Sequence, residues 1–265
     1  VLDLLIKNPI HRSHLAVSVL IDLGQIYIDH NHYDLKNLPK SLNIKESIAI
    51  ANNNIIEEIP DNWVINGNLL LVNCTNLKKI GRNIRVSGYI LIKDCPLFEG
   101  FDDPELSVYS LELENLPKLT KLPSKINSQL NIKFSNCNNI TELPEQMYSA
   151  KDLILNSLNK ITKIKNIQAH EIKIQNCTNL TTIDFCSSTT NLIMLNNQNL
   201  SYLPGTLYVG KYLKSDKIIN PKVNKKDYEH IFVGQGLLFK ENNSWVKFDV
   251  DTTKKIESCN SDLMN

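Results

Sequence analysis

Long apolar runs are missing from this chain: nowhere do about 18 consecutive apolar residues occur, the least that spans a bilayer as a helix. A surplus of either charge is missing too. Lysine and arginine number 29 against 28 aspartates and glutamates, a net charge of +1 over 265 residues. That balance leaves no case for the concentrated basic surface that displaces counterions from nucleic acid. The six cysteines include no CxxC pair, so the spacing of zinc ribbons and of thioredoxin-like redox sites is not there. Walker loops, GxSxG and HExxH are absent as well. The opening VLDLLIKNPIHR carries Asp3, and the apolar stretch 15–23 is broken by Ser18 and Asp22, a poor fit to a secretory leader. These absences lead to the expectation of a cytoplasmic, non-enzymatic protein with no cofactor, no metal, and neither nucleic acid nor membrane as partner. Asn, Ile and Lys are abundant, a bias that fits AT-rich coding and carries no functional weight.

What the chain does have is a repeat. One phrase of about 21 residues recurs nine times between Ile26 and Tyr212, clearest as LLLVNCTNLKKIG at 69–81 and LNIKFSNCNNITELP at 130–144. Its closing apolar position falls at Leu38, Ile59, Ile80, Phe101, Leu122, Leu143, Ile164, Ile183 and Leu203, in six steps of 21, then 19, then 20. Three residues earlier stands another apolar residue in every copy, from Leu35 and Ile56 to Leu200. Three earlier again comes a position held by Asn53, Cys74, Cys95, Leu116, Cys137, Leu158, Cys177 and Asn197, with Asn31 filling it in the first copy after one inserted residue. Alternating pairs such as Ile48 and Ile50, or Leu69 and Leu71, precede it. Period two with branched residues predicts a short strand.

A single copy is too small to bury its own apolar face, so the copies must stack, strand pairing in parallel with strand and inward residues forming continuous ladders. Prolines follow the closing residue at Pro39, Pro60, Pro123, Pro144 and Pro204. They suit an extended or tightly turned outer wall, and the remaining ten or so residues leave no room for a long helix.

In its best copies the pattern reads LxLxxCxxLxxLP and resembles the leucine-rich repeat family over about 26–213. The short period resembles its bacterial and plant-receptor styles, and VINGNLLL (64–71) and VSGYILI (86–92) are similar to the VxGxLxL phrase of bacteriophage solenoids. The resemblance implies a mainly β repeat solenoid: an arc with parallel strands on the concave face, short irregular or extended convex segments, and a cap at each end. It also implies a protein partner bound on the concave face, and a viral or bacterial protein acting on a host factor. Leu116 and Leu158 depart from the Asn/Cys position, and the seventh and eighth copies are short.

Three local features need weighing against that frame. Cys74, Cys95, Cys137 and Cys177 share one repeat position and are expected inside, as small hydrophobes with weak S–H donors; a disulfide or metal role is the alternative. Cys186 and Cys259 lie off that ladder. Asp29, His30, His32 and Asp34 form DHNHYD, read as a polar turn with a metal as the lesser reading. The NCT sequons place Asn73 and Asn176 beside inward cysteines, where a glycan is expected not to fit.

The domain expectation is an N-terminal cap at 1–25, the solenoid at 26–213 and a C-terminal cap at 214–265 with a β-hairpin around ENNS, shielded by Phe239, Trp245 and Phe248. A separate effector or docking element at 214–265 stays open, favoured by its lysines. On the strands, residues alternating with the buried pairs face outward. Leu70, Val72, Tyr89 and Leu91 should cluster there as an apolar group, beside Lys93, Glu112, Glu114 and Lys133, whose opposite charges meet one coil apart. These eight are the candidate partner-binding residues. Contact with the N-terminal segment, or no role, are the alternatives for the patch. Self-association through solenoid edges or caps is the alternative function.

Overall fold

A computed structural model describes residues 25–29, 38–200, 206–216, 231–233, 236–241, 244–248 and 255–259. The proposed N-terminal cap before residue 25, the side chains of DHNHYD, and Leu35, Leu203, Phe239, Trp245 and Phe248 as side chains lie outside this description. The fold is mainly β: parallel strands stack as a repeat solenoid with turns roughly 21 residues apart, and no helix occurs among the described residues. The chain divides into two compact units, Val1–Asn139 and Ile140–Asn265.

In the first unit the LxL strands Ser47–Asn53, Leu69–Cys74, Tyr89–Lys93, Ser110–Glu114 and Ile132–Ser135 pair in parallel. The register keeps like over like: Ile50 lies beside Leu71, Leu71 beside Ile92, and Leu113 beside Phe134. All of these are fully buried. At about 1.5–3 kcal/mol for each buried Leu, Ile or Phe, such ladders supply most of the stabilisation. The Cys position follows the same rule, with Cys74, Cys95, Leu116 and Cys137 at 0% exposure.

The outer segments are more regular than the sequence suggests. Each turn carries a second wall strand, as in Leu42–Ile44, Trp63–Ile65 and Arg85–Val86, which form a parallel sheet of their own. Glu105–Val108 pairs in parallel with Lys125–Ser128 in the same way. A short third bridge at the closing position joins Glu58–Ile59, Lys79–Ile80 and Gly100–Phe101. The second wall points Trp63, Ile65, Val86, Leu106, Val108 and Ile126 into the core. Each turn is therefore closed by strands on several sides, because the stacked backbone N–H and C=O groups must all be paired. Gly100 marks how tight this is: at φ +146° a Cβ there would stand 2.0 Å from the Lys121 carbonyl oxygen.

The asparagines set the corners. Residues at or just past the ends of the LxL strands adopt left-handed backbone: Asn52, Asn73, Asp94, Asn115 and Asn136 in the first unit, with φ between 50° and 55°. Asn62 and Asn83 do the same at a second corner. Asn and Asp tolerate this conformation where other side chains clash. At these corners asparagine therefore meets a backbone requirement. At the two sequons Asn73 is exposed and Asn176 half-buried, and their amide nitrogens donate to Asn52 at 2.9 Å and to Asn156 at 2.8 Å.

In the second unit, Gln146–Asn156 pairs with Lys163–Gln175, each of these strands running through both the outer wall and the LxL segment of one turn. The short copies are absorbed at corners. The outer wall pairs at an offset of 19 in Ile167 with Cys186, while the LxL segment pairs at 20 in Ile172 with Leu192. Cys186, which looked uninformative in the sequence, is a fully buried rung of the outer-wall ladder between Ile167 and Leu207. Beyond Tyr212–Ser215, Gly236–Glu241 continues the parallel stack and then pairs antiparallel with Ser244–Phe248, itself antiparallel to Lys255–Cys259.

Candidate functional site

The outward face of the LxL strands in the first unit holds all eight candidate residues. Alternation places them there: on each strand the buried pair takes one face, and the residues between and beside it take the other. The central row runs Leu70, Leu91, Glu112 and Lys133 in direct register, and the next row runs Val72, Lys93, Glu114 and Ser135. Leu70, Val72 and Leu91 are half-buried on adjacent strands. Tyr89 is 44% exposed.

Glu114 is the hub of the charged part. Its carboxylate lies 2.9 Å from Lys93 Nζ and 3.2 Å from Lys133 Nζ, whereas Lys133 stands 3.8 Å from Glu112. The expected pairing is therefore present, with Glu114 shared between both lysines. The hydrogen bond from Lys93 holds the Glu114 carboxyl below the usual carboxylate range, against a smaller opposing effect of burial, and Lys133 adds to the lowering. Lys93 is correspondingly raised by its bond to Glu114.

The sequence reading did not single out Tyr109. It stands at the corner after Glu105–Val108, is 39% exposed, and meets Tyr89 edge-on with ring centroids 5.6 Å apart at 67°. The signal was the shortened corner: VYS at 108–110 holds one residue where the preceding turn has Ser87 and Gly88. That brings Tyr109 over Gly88, to whose carbonyl its N–H donates at 3.2 Å. Two other positions expected outside are in fact enclosed. Ala49 is 4% exposed beneath Leu70, and Ser110 is 3% exposed, donating its hydroxyl to the Asn131 carbonyl at 3.0 Å. Small side chains at these rows are covered by their larger neighbours.

The five thiols among the described residues are all buried. Cys137 and Cys177 are pushed up to about 11 by burial, and Cys186 is raised further for the same reason. Cys74 is raised by its hydrogen bond with Cys95 and by burial, and the same hydrogen bond lowers Cys95. Cys137 lies 3.5 Å from the Leu113 carbonyl oxygen and 3.4 Å from that of Ser135, so the sulfur serves as a corner donor. Among the described residues no group of three or more His, Cys, Asp or Glu side chains comes together.

In comparisons with known proteins, no family model matches the chain, and no curated protein or solved structure matches it.

Proposed function

We propose that the protein is a non-enzymatic interaction module that binds a protein partner on the outward LxL face of its first unit. The observation that carries this reading is the Leu70–Leu91 row with Tyr89 and its edge-on neighbour Tyr109, apolar groups left partly open on a rigid strand face. Aromatic and aliphatic anchors beside paired charges are how protein interfaces concentrate their binding energy. The Lys93, Glu114, Lys133 cluster with Glu112 supplies the polar rim, and strands fixed by neighbours on both sides hold these groups without further ordering cost. The partner in this reading is a factor of a host cell, following the likeness to viral and bacterial solenoids in the repeat phrases at 64–71 and 86–92.

The test compares chemical cross-linking and capture from the native cell by the wild-type chain and by Leu70→Asp/Leu91→Asp. Loss of one specific captured protein, with unfolding curves unchanged, supports the reading; identical capture by both chains refutes it. Light scattering of the purified chain separates this reading from self-association, which requires a mass that grows with concentration.

A further inference from the structure

We propose that Cys74 and Cys95 form an oxidisable dithiol, which closes to an intramolecular disulfide between consecutive turns on reaction with hydrogen peroxide.

Of the five described thiols, these two stand on consecutive rungs of one ladder. They lie 21 residues apart, the offset at which Leu69 pairs with Ile90 and Val72 with Lys93 in the strands that lead to them. Each takes the same posture, one turn on: Cys74 Sγ lies 3.4 Å from the Ile50 carbonyl oxygen, and Cys95 Sγ 3.7 Å from that of Leu71. In-register parallel strands run about 4.8 Å apart, inside the Cα separation of about 4.4–6.8 Å that a disulfide spans. The two side chains are already in hydrogen-bond contact, with the Cys74 S–H directed at the Cys95 sulfur. Linking them needs no sliding of one turn past the other. The remaining thiols supply the contrast. Cys137 stands between Leu116 and Leu158 on the same ladder, Cys177 between Leu158 and Asn197, and Cys186 between Ile167 and Leu207 on the outer wall. None of these three has a sulfur on the rung before or after it.

The pair divides the chemistry between its members. The thiolate is the attacking species, and the hydrogen bond from Cys74 favours that form at Cys95. Cys95 loses its proton, and its sulfur attacks one peroxide oxygen, breaking the O–O bond to give the Cys95 sulfenic acid and hydroxide, which takes up that proton. The Cys74 sulfur then attacks the Cys95 sulfur, the S–O bond breaks, and the departing hydroxyl leaves as water with the Cys74 proton. Two thiols and one hydrogen peroxide thus give one disulfide and two waters. Both sulfurs are at 0% exposure, which favours an oxidant as small as peroxide over a bulky disulfide. An open surface groove is lined by Asn73, Thr75, Asp94 and Pro96, the residues on either side of the two cysteines, so one layer of corner backbone separates it from the pair.

The experiment treats the folded full chain with hydrogen peroxide, with Cys259→Ser throughout so that only the five buried thiols remain. The reaction is quenched in acid, free thiols are alkylated in denaturant, and the chain is digested with trypsin without reductant. Cleavage after Lys45, Lys78, Lys93 and Lys118 puts Cys74 in one peptide and Cys95 in another. The two peptides should appear joined, lighter than their sum by two hydrogens and separated by reduction, while Cys137, Cys177 and Cys186 are still recovered alkylated. Cys95→Leu places at this rung the residue that Leu116 and Leu158 already provide, so it should keep the fold, form no link and leave Cys74 alkylated. Cys74→Leu should stop the reaction at the Cys95 sulfenic acid, which dimedone captures. Recovery of Cys74 and Cys95 as separate alkylated peptides from the peroxide-treated chain overturns the pair. A link from either of them to Cys137, Cys177 or Cys186 overturns it equally.

Discussion

At Asn115 two demands meet in one side chain: a left-handed backbone with φ 55°, and a rung that donates to Asp94 and accepts from Asn136. Separating them is straightforward. Asn115→Gly keeps the backbone freedom and loses the rungs, while Asn115→Ala loses both; left-handed backbone costs an ordinary residue about 1–2 kcal/mol. Urea unfolding should therefore rank wild type above Gly and Gly above Ala, with the Ala variant down by about 2 kcal/mol or more. Glu114 makes a different residue-scale prediction. Its carboxyl is depressed in the folded chain, so it contributes stability above the unfolded-state value near 4.3, and that contribution is lost as pH falls through the lower folded value. Glu114→Gln should be less stable than wild type at pH 7, by under about 1 kcal/mol for so exposed a cluster. The two stability curves should converge in strong acid.

Elements are decided by which rows they fill. The LxL strands were legible because two buried positions at i and i+2 repeat at fixed spacing. The outer-wall strands were not, because their inward rows mix Trp63, Leu106, Ile126, Met147 and Cys186 with serines, and that mixture hides the alternation. Ser128 shows why the serines are there. It is 2% exposed, and its hydroxyl lies 2.9 Å from the Tyr109 carbonyl oxygen and 3.0 Å from that of Asn131 at the tight corner into the next strand. Ser188 repeats the arrangement in the second unit, with the carbonyls of His170 and Asn191. Trp63 anchors the outer wall of the first unit, fully buried with its indole N–H donating to the Pro39 carbonyl at 2.9 Å. Trp63→Ala should cost about 3–5 kcal/mol in denaturant unfolding. Trp63→Phe keeps most of the burial but leaves that carbonyl without its donor, and should cost less.

For the whole molecule, a one-dimensional stack predicts tolerance to loss of a complete turn and intolerance to loss of part of one. Removing residues 90–110 joins Tyr89 to Leu111 at the observed offset, in which Tyr89 pairs with Ser110 and Ile90 with Leu111. That chain should stay folded by circular dichroism, with a smaller denaturant slope in proportion to the surface it no longer buries. Removing 90–99 alone leaves one turn unable to pair with its neighbours, so the ladder breaks there and the single cooperative unfolding transition should be lost. The repeat period, the parallel stacking and the inward cysteines follow from the sequence by itself, since spacing and hydrophobicity are local properties that recur. The candidate face was legible in the same way, because alternation names the residues opposite a buried pair. Other features needed the tertiary structure: the sharing of Glu114 by two lysines, the Tyr89–Tyr109 contact, and the enclosure of Ala49 and Ser110. The direction of the column of corner asparagines, each amide donating to the turn before it, needed it too. These depend on which atoms of neighbouring turns face one another, and that is set only when coils some 21 residues apart are brought to strand spacing and each corner takes up its backbone conformation.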